Sequence, residues 1–163
     1  MKSKLFIILA LTTLISCSSH KNNKLTTFVF DNEKILEENQ INQLNDLFKN
    51  HEKKTSNEIV LVTTDNYGEE KNIVLFTTQF GNRLQIGKKN KNNGIVIGLS
   101  KKLREIRIST GYGTEKVLKD KILQKIIDSL MISKFREDKY FEGIYSGSKE
   151  IIDFLEKPEN QIK

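Results

Sequence analysis

The spacing of apolar positions changes repeatedly along the chain, and the changes divide it into alternating helices and strands. Ile41, Leu44, Leu47 and Phe48 recur at three- and four-residue steps between polar neighbours, which predicts an amphipathic helix from about Glu37 to Lys54. A short strand, Thr27 to Phe30, precedes it. Glu58-Ile59-Val60-Leu61-Val62-Thr63-Thr64 is a β-branched run too continuous for a strand with one wet face, so it predicts a central strand covered on both sides. Asp65-Asn66-Tyr67-Gly68 breaks that run. Ile73, Phe76, Phe80 and Leu84 then predict a second helix from about Glu69 to Leu84. Ile95 to Leu99 and Glu105 to Ser109 flank the polar segment Ser100 to Arg104, a hairpin signal, with Ile106 and Ile108 alternating against charged neighbours. Leu118, Ile122, Ile126 and Leu130, with Leu123, Ile127 and Met131, give a third helix, and Tyr140, Phe141, Ile144, Ile151 and Leu155 a fourth. Helices on either side of a buried strand predict an α/β fold, a three-layer α/β/α sandwich with a central mixed sheet of about four strands. Gly143 and Gly147 on the last helix are read as close packing of that helix on the sheet. Lys139, Glu142 and Lys149 rule out a membrane span there.

The N-terminus carries a different pattern. Lys2 and Lys4 precede an apolar run from Leu5 to Ile15, and Leu14-Ile15-Ser16-Cys17 closes it. A charged start, a run too short for a bilayer core of about 30 Å and small residues at the cut read as a secretory signal, and the cysteine makes it a bacterial lipoprotein signal. The alternative is an ordinary signal peptide with an incidental cysteine. Cys17 is the chain's single cysteine, so it forms no intramolecular disulfide, and lipidation accounts for its presence. The expected organisation is signal peptide 1–16, flexible tether 17–26, folded domain 27–156 and polar tail 157–163. The expected location is the cell envelope, lipid-anchored and extracytoplasmic. Ser18 after the cysteine, in place of an aspartate, favours an outer membrane.

Charge adds little. Setting Lys2 and Lys4 aside from 27 basic against 21 acidic residues leaves a net charge of +4. The lysines are interspersed with acids, without the basic face and interleaved aromatics of a nucleic-acid protein, so no nucleic-acid partner is expected. Lys88-Lys89-Asn90-Lys91 and Lys101-Lys102 fall in loops, where they read as solvated turns or as contacts to anionic lipid.

Familiar catalytic patterns are missing. There is no Gly-x-Ser-x-Gly elbow or phosphate-binding glycine loop, and His20 and His51 both read as peripheral, solvated side chains. Oxygen-bearing residues do fall where strands end and helices begin: Asp31, Asp65, Asn92, Asn93, Glu115 and Asp138. Convergence in a crevice beyond the strand ends would suit Ca²⁺ or Mg²⁺, whereas each residue singly also fits a cap or a turn. Thr110-Gly111-Tyr112-Gly113, directly after a strand, either holds an anion on its amides or makes a tight turn.

Three blocks, Ile86 to Ile95, Arg107 to Glu115 and Phe135 to Gly143, occur in the order and form that resemble a TPM domain, also called the TPM phosphatase family. The resemblance runs from about Val29 to Leu155. It implies an extracytoplasmic α/β/α domain, usually membrane-tethered, with a crevice that binds calcium or magnesium in some members. Acid phosphatase activity is attributed to some members, and others are non-enzymatic partners of membrane complexes. The chain departs from the pattern at Asn92, where an aspartate is usual, at Lys116, where a glycine is usual, and at Ser133, where a proline is usual. Two functions of different class follow. One is a membrane-anchored module that binds a divalent cation through loops around Asp65, Asn93 and Glu115 and supports assembly or maintenance of an envelope complex through a protein partner. The other is a metal-assisted phosphatase with Arg107 on the phosphate. A ligand-free protein-interaction domain is a third reading.

Overall fold

The computed structural model describes residues 25–162. The signal segment, Cys17, His20 and most of the tether lie outside the described residues. Four strands form one sheet in sequence order: β1 (Val29–Asp31), β2 (Glu58–Thr63), β3 (Gly94–Ser100) and β4 (Glu105–Thr110). β1, β2 and β3 are parallel, and β4 returns antiparallel to β3 through the 101–104 turn. Every residue of β2 and β3 is buried, as the unbroken β-branched runs require.

Helix α1 (Glu38–Thr55) packs on β2 and the last helix, whereas α2 (Ile73–Leu84) packs on β3 and β4. Gly98 and Val96 turn toward α2: a Cβ on Gly98 would meet Thr77, and one on Gly81 would lie 3.1 Å from Val96. Ile95, Ile97 and Leu99 alternate to the other face, so the sheet is covered on both sides and the three-layer sandwich is confirmed. Both parallel crossovers step the same way across the sheet, yet α1 and α2 lie on opposite faces. The two crossovers therefore have opposite hands, and one departs from the usual right-handed rule.

Helix α2 begins at Ile73, later than periodicity suggested, because the Asn72 side chain accepts the Leu75 amide at 3.0 Å and caps it there. A single turn, α3 (Tyr112–Glu115), follows β4. The third predicted helix is α4 (Asp120–Ile126), a π-turn at Ile127–Met131 and α5 (Ile132–Phe135) in continuous succession. The last is α6 (Tyr140–Leu155). Its glycines do not meet the sheet as expected. A Cβ at Gly147 would lie 2.7 Å from Met131 Sδ, and one at Gly143 would press on Phe135, so these positions seat the π-turn and α5. Among the described residues no helix is long and apolar enough to cross a membrane.

Candidate functional site

The six oxygen-bearing residues fall at opposite ends of the sheet. Asp31, Asp65 and Asp138 lie at the C-terminal end of the parallel strands, and Asn92, Asn93 and Glu115 at the N-terminal end. The six residues of β2 separate the two ends by roughly 20 Å at about 3.3 Å per residue. The expectation of one crevice holding Asp65, Asn93 and Glu115 together does not survive this topology. Sequence adjacency to a strand end did not say which end.

At the N-terminal end the groups are consumed internally. Asn93 is fully buried: its carbonyl accepts the Lys88 amide at 2.7 Å, and its amide donates to Ser56 O and Asn57 Oδ1, both at 2.9 Å. Glu58 accepts the Gly87 amide at 2.6 Å and pairs with Lys88, which also reaches Glu52 at 2.8 Å. Desolvation pulls the Lys88 ammonium down, and the bonds from Glu52 and Glu58 outweigh it, so its pKa lies above the usual lysine value. Asn92 takes a left-handed φ of 47°, which asparagine tolerates, and its carbonyl accepts Gly113 N at 2.9 Å and Thr114 N at 3.4 Å. Gly111 N donates to Gly94 O at 2.9 Å. A Cβ on Gly111 or Gly113 would strike the backbone of Asn92 or Lys91. The 110–113 segment is thus a clamped turn, and these amides are not open to an anion. Glu115 is exposed beside it.

At the C-terminal end, Asp31 fastens the start of α1. Its Oδ1 accepts Thr63 Oγ1 at 2.6 Å and the Ile35 amide at 3.3 Å, and its Oδ2 accepts the Leu36 amide at 2.9 Å. Glu33, not singled out from sequence, holds the hairpin turn by accepting the amides of Lys101 and Lys102 at 2.9 and 3.1 Å. Asp65 accepts from Asn66 Nδ2 at 2.7 Å and Lys102 Nζ at 3.3 Å, and these bonds hold its carboxyl below the usual range. Asp138, with φ 56°, pairs with Lys101 at 3.5 Å. A divalent cation needs six or more oxygens around one point, and these carboxylates already answer amides, hydroxyls and lysines at separate places. Among the described residues no three His, Cys, Asp or Glu side chains converge, so the residues present do not fit a single cation centre.

A cleft of about 400 Å³ opens at this end between the β3–β4 hairpin and the turn joining α5 to α6. Leu99, Ile106 and Ile132 form its apolar wall, Phe135 stacks on Tyr140 at 5.3 Å, and Lys101 sits 4.7 Å over the Tyr140 ring. Arg104, with φ 57°, and Arg136 supply two guanidinium groups, and two carboxylates share the lining: Asp138, paired with Lys101, and Glu105, which accepts the Tyr67 hydroxyl at 2.8 Å. Neither guanidinium makes an ion pair among the described residues, where the paired arginine is Arg107, 3.8 Å from Asp120. Ser100 lines the cleft but is buried, its hydroxyl accepting the Leu103 amide at 3.1 Å, and no histidine is near to activate it. Arg107 lies in the middle of β4 opposite Gly98, far from the strand-end carboxylates an aryl-phosphate site would combine with it. Phe135, Arg136, Asp138 and Tyr140 belong to a block that sequence reading had marked. Arg104 was missed, being read only as part of a turn.

His51 corrects another expectation. It is 1% exposed, with Nδ1 3.1 Å from Glu156 Oε1 and Nε2 3.3 Å from Thr55 Oγ1, and so ties α1 to the end of α6. Burial pushes its pKa below 6.5, against the opposing pull of Glu156. Glu156 is pushed up by desolvation, but the bonds from His51 and Lys54 prevail and lower it.

The relatives bear on this arrangement. The N-terminal domain of a protein from P. gingivalis is 28% identical over 85% of this chain and 87% of its own, with a TM-score of 0.74. The BA42 protein of Bizionia argentinensis is 18% identical over 77% of this chain and 84% of its own, with a TM-score of 0.66. The N-terminal domain of the cg2496 protein of Corynebacterium glutamicum is 9% identical over 83% and 84%, with a TM-score of 0.62. At 18% and 9% the likeness is one of fold. No curated protein sequence matches the chain. The family model described as TPM domain matches residues 29–154, which span the whole sheet and both helical layers; the chain belongs to the TPM domain family.

Proposed function

We propose that this chain is an extracytoplasmic TPM module, anchored through lipidated Cys17, that serves a membrane or envelope complex by binding a partner protein rather than by hydrolysis. The site is the cleft between the hairpin and the α5–α6 turn. The observation that carries this reading is the pair of guanidinium groups, Arg104 and Arg136, which make no ion pair among the described residues even though Glu105 and Asp138 line the same cleft, those two carboxylates being engaged by Tyr67 and Lys101; a stacked aromatic pair and an apolar wall lie beside them. Arginine forks match carboxylates bidentately, and the aromatic face accepts an apolar neighbour, so an acidic peptide segment of the partner is the ligand class. A buried serine without a base and dispersed strand-end acids give hydrolysis and cation binding less support.

The test is calorimetric titration of the full chain with an acetylated hexaglutamate peptide, inorganic phosphate, Ca²⁺ and Mg²⁺, beside an assay with a generic aryl phosphate. Saturable peptide binding that falls at least tenfold in Arg104→Ala/Arg136→Ala is expected, with aryl phosphate turnover at the buffer rate. Cation-dependent phosphate release lost on Asp65→Ala would replace this reading with the phosphatase one. Cation binding without turnover would restore the cation-binding module.

A further inference from the structure

A domain tethered at its N-terminus would turn toward the bilayer the end from which the tether leaves, and the fold determines which end that is. Strand β1 is entered from its N-terminal side. Leu25, Thr26 and Thr27 lie beside Arg83, Leu84 and Gln85 at the C-terminal end of α2, and Gln85 leads into the loop that packs Gly87 on Gly94. The chain thus emerges at the N-terminal end of the parallel strands, opposite the cleft. Eight residue steps separate Cys17 from Leu25, a reach of at most about 28 Å even when fully extended.

The features of that end suit a lipid surface. Tyr112 is 80% exposed, the most exposed of the large apolar or aromatic side chains among the described residues, and its loop is clamped to the 91–92 backbone so that the ring projects from a fixed platform. An amphipathic ring held at the tip of a rigid loop is suited to the headgroup layer. Lys89 and Lys116 flank it, exposed and without ion pairs among the described residues. Lys88 is committed to Glu52 and Glu58, Lys91 donates to Ser56 at 3.1 Å, and Glu115 opposes the patch with one negative charge.

We propose that the Tyr112 loop and the 88–91 loop are an interfacial docking surface for anionic lipid, which lays the N-terminal end of the sheet on the membrane and turns the arginine cleft outward. The inference rests on the anchoring of Cys17 proposed above, and on no assumption about what the cleft binds.

The chain contains no tryptophan, so a single one reports its own depth. The full-length lipoprotein carrying Tyr112→Trp, or Leu103→Trp at the hairpin tip of the far end, is reconstituted into phosphatidylcholine vesicles with and without phosphatidylglycerol, using brominated acyl chains as quenchers. Quenching and a blue shift are expected for the tryptophan at 112 in the phosphatidylglycerol vesicles, with none for the tryptophan at 103. Lys89→Glu/Lys116→Glu in the 112 variant should weaken docking by about fivefold for each lysine. Absence of quenching at 112, or equal quenching at 103, overturns the orientation while leaving the anchor intact. Mass spectrometry of the N-terminal peptide reads the anchor separately, and an unmodified Cys17 would remove both readings.

Discussion

The two ends of the sheet are built from similar residue types and behave in opposite ways. At the N-terminal end, the buried Asn93 and Glu58 are matched to backbone, to Asn57 and to the half-exposed Lys88. At the C-terminal end, the cleft leaves two arginines without ion pairs among the described residues, its carboxylates Glu105 and Asp138 being engaged elsewhere, and an aromatic pair half covered. A distinctive sequence block can therefore mark a structural clamp as readily as a ligand site. Ile86 to Ile95 and Thr110 to Glu115 are distinctive because two loops must approach until their backbones touch, which only particular glycines and asparagines permit.

The largest losses are expected at the clamp. Asn93→Ala leaves the part-buried Lys88 amide and Ser56 carbonyl and the buried Asn57 side chain without their partner, and it should cost about 3 kcal/mol in urea unfolding. Gly113→Ala is expected to cost a comparable ~3 kcal/mol by forcing the turn away from Lys91. A loss below about 1 kcal/mol in both would mean that this end is as open as the other. Lys88→Ala comes next. It leaves Glu52 and Glu58 facing each other at 17% and 11% side-chain exposure, a loss of about 2 kcal/mol after allowing for the partly exposed lysine head. Urea unfolding at two salt concentrations checks it, since a half-shielded pair should retain most of its effect in salt.

A smaller effect separates the buried histidine from the exposed acids. His51 is held below its ordinary 6.5 in the folded chain, first by burial, whereas the unfolded chain protonates it near that value. The stability it contributes is therefore present above about pH 6.5 and lost as pH falls below it, because the unfolded state then binds the extra proton. His51→Gln should flatten thermal stability between pH 7 and 5 relative to the parent. An unchanged slope would place the titration elsewhere.

Much of the fold is legible in spacing. The periods at Ile41 to Phe48 and Ile73 to Leu84, the runs at 58–64 and 95–99, and the 100–104 turn locate the main helices and the three longer strands. The end of the sheet at which a residue sits is not legible in the same way. Asp65 and Asn93 both flank strands, but one follows a parallel strand and the other precedes one, and only the strand directions tell them apart. Burial of His51 was equally hidden. Its position four residues from the end of α1 suggests solvent, yet the end of α6, 105 residues away in sequence, closes over it. Gly143 and Gly147 announced close packing but not its partner, since the π-turn that carries Met131 has no sequence signature of its own.

The least destabilising change is expected at the cleft. Arg104 and Arg136 contribute no ion pair to the folded state among the described residues, so Arg104→Ala/Arg136→Ala should alter unfolding free energy by no more than about 0.5 kcal/mol for each substitution. Truncation does expose part of the Phe135 and Tyr140 faces, a loss of packing that keeps the expected sign destabilising. The same pair of substitutions should nonetheless remove binding of the hexaglutamate probe. Conserved stability with lost binding is the signature of groups held ready for a ligand. A loss of 2 kcal/mol or more would instead show that the guanidinium groups brace the hairpin against the α5–α6 turn, making this end a second clamp.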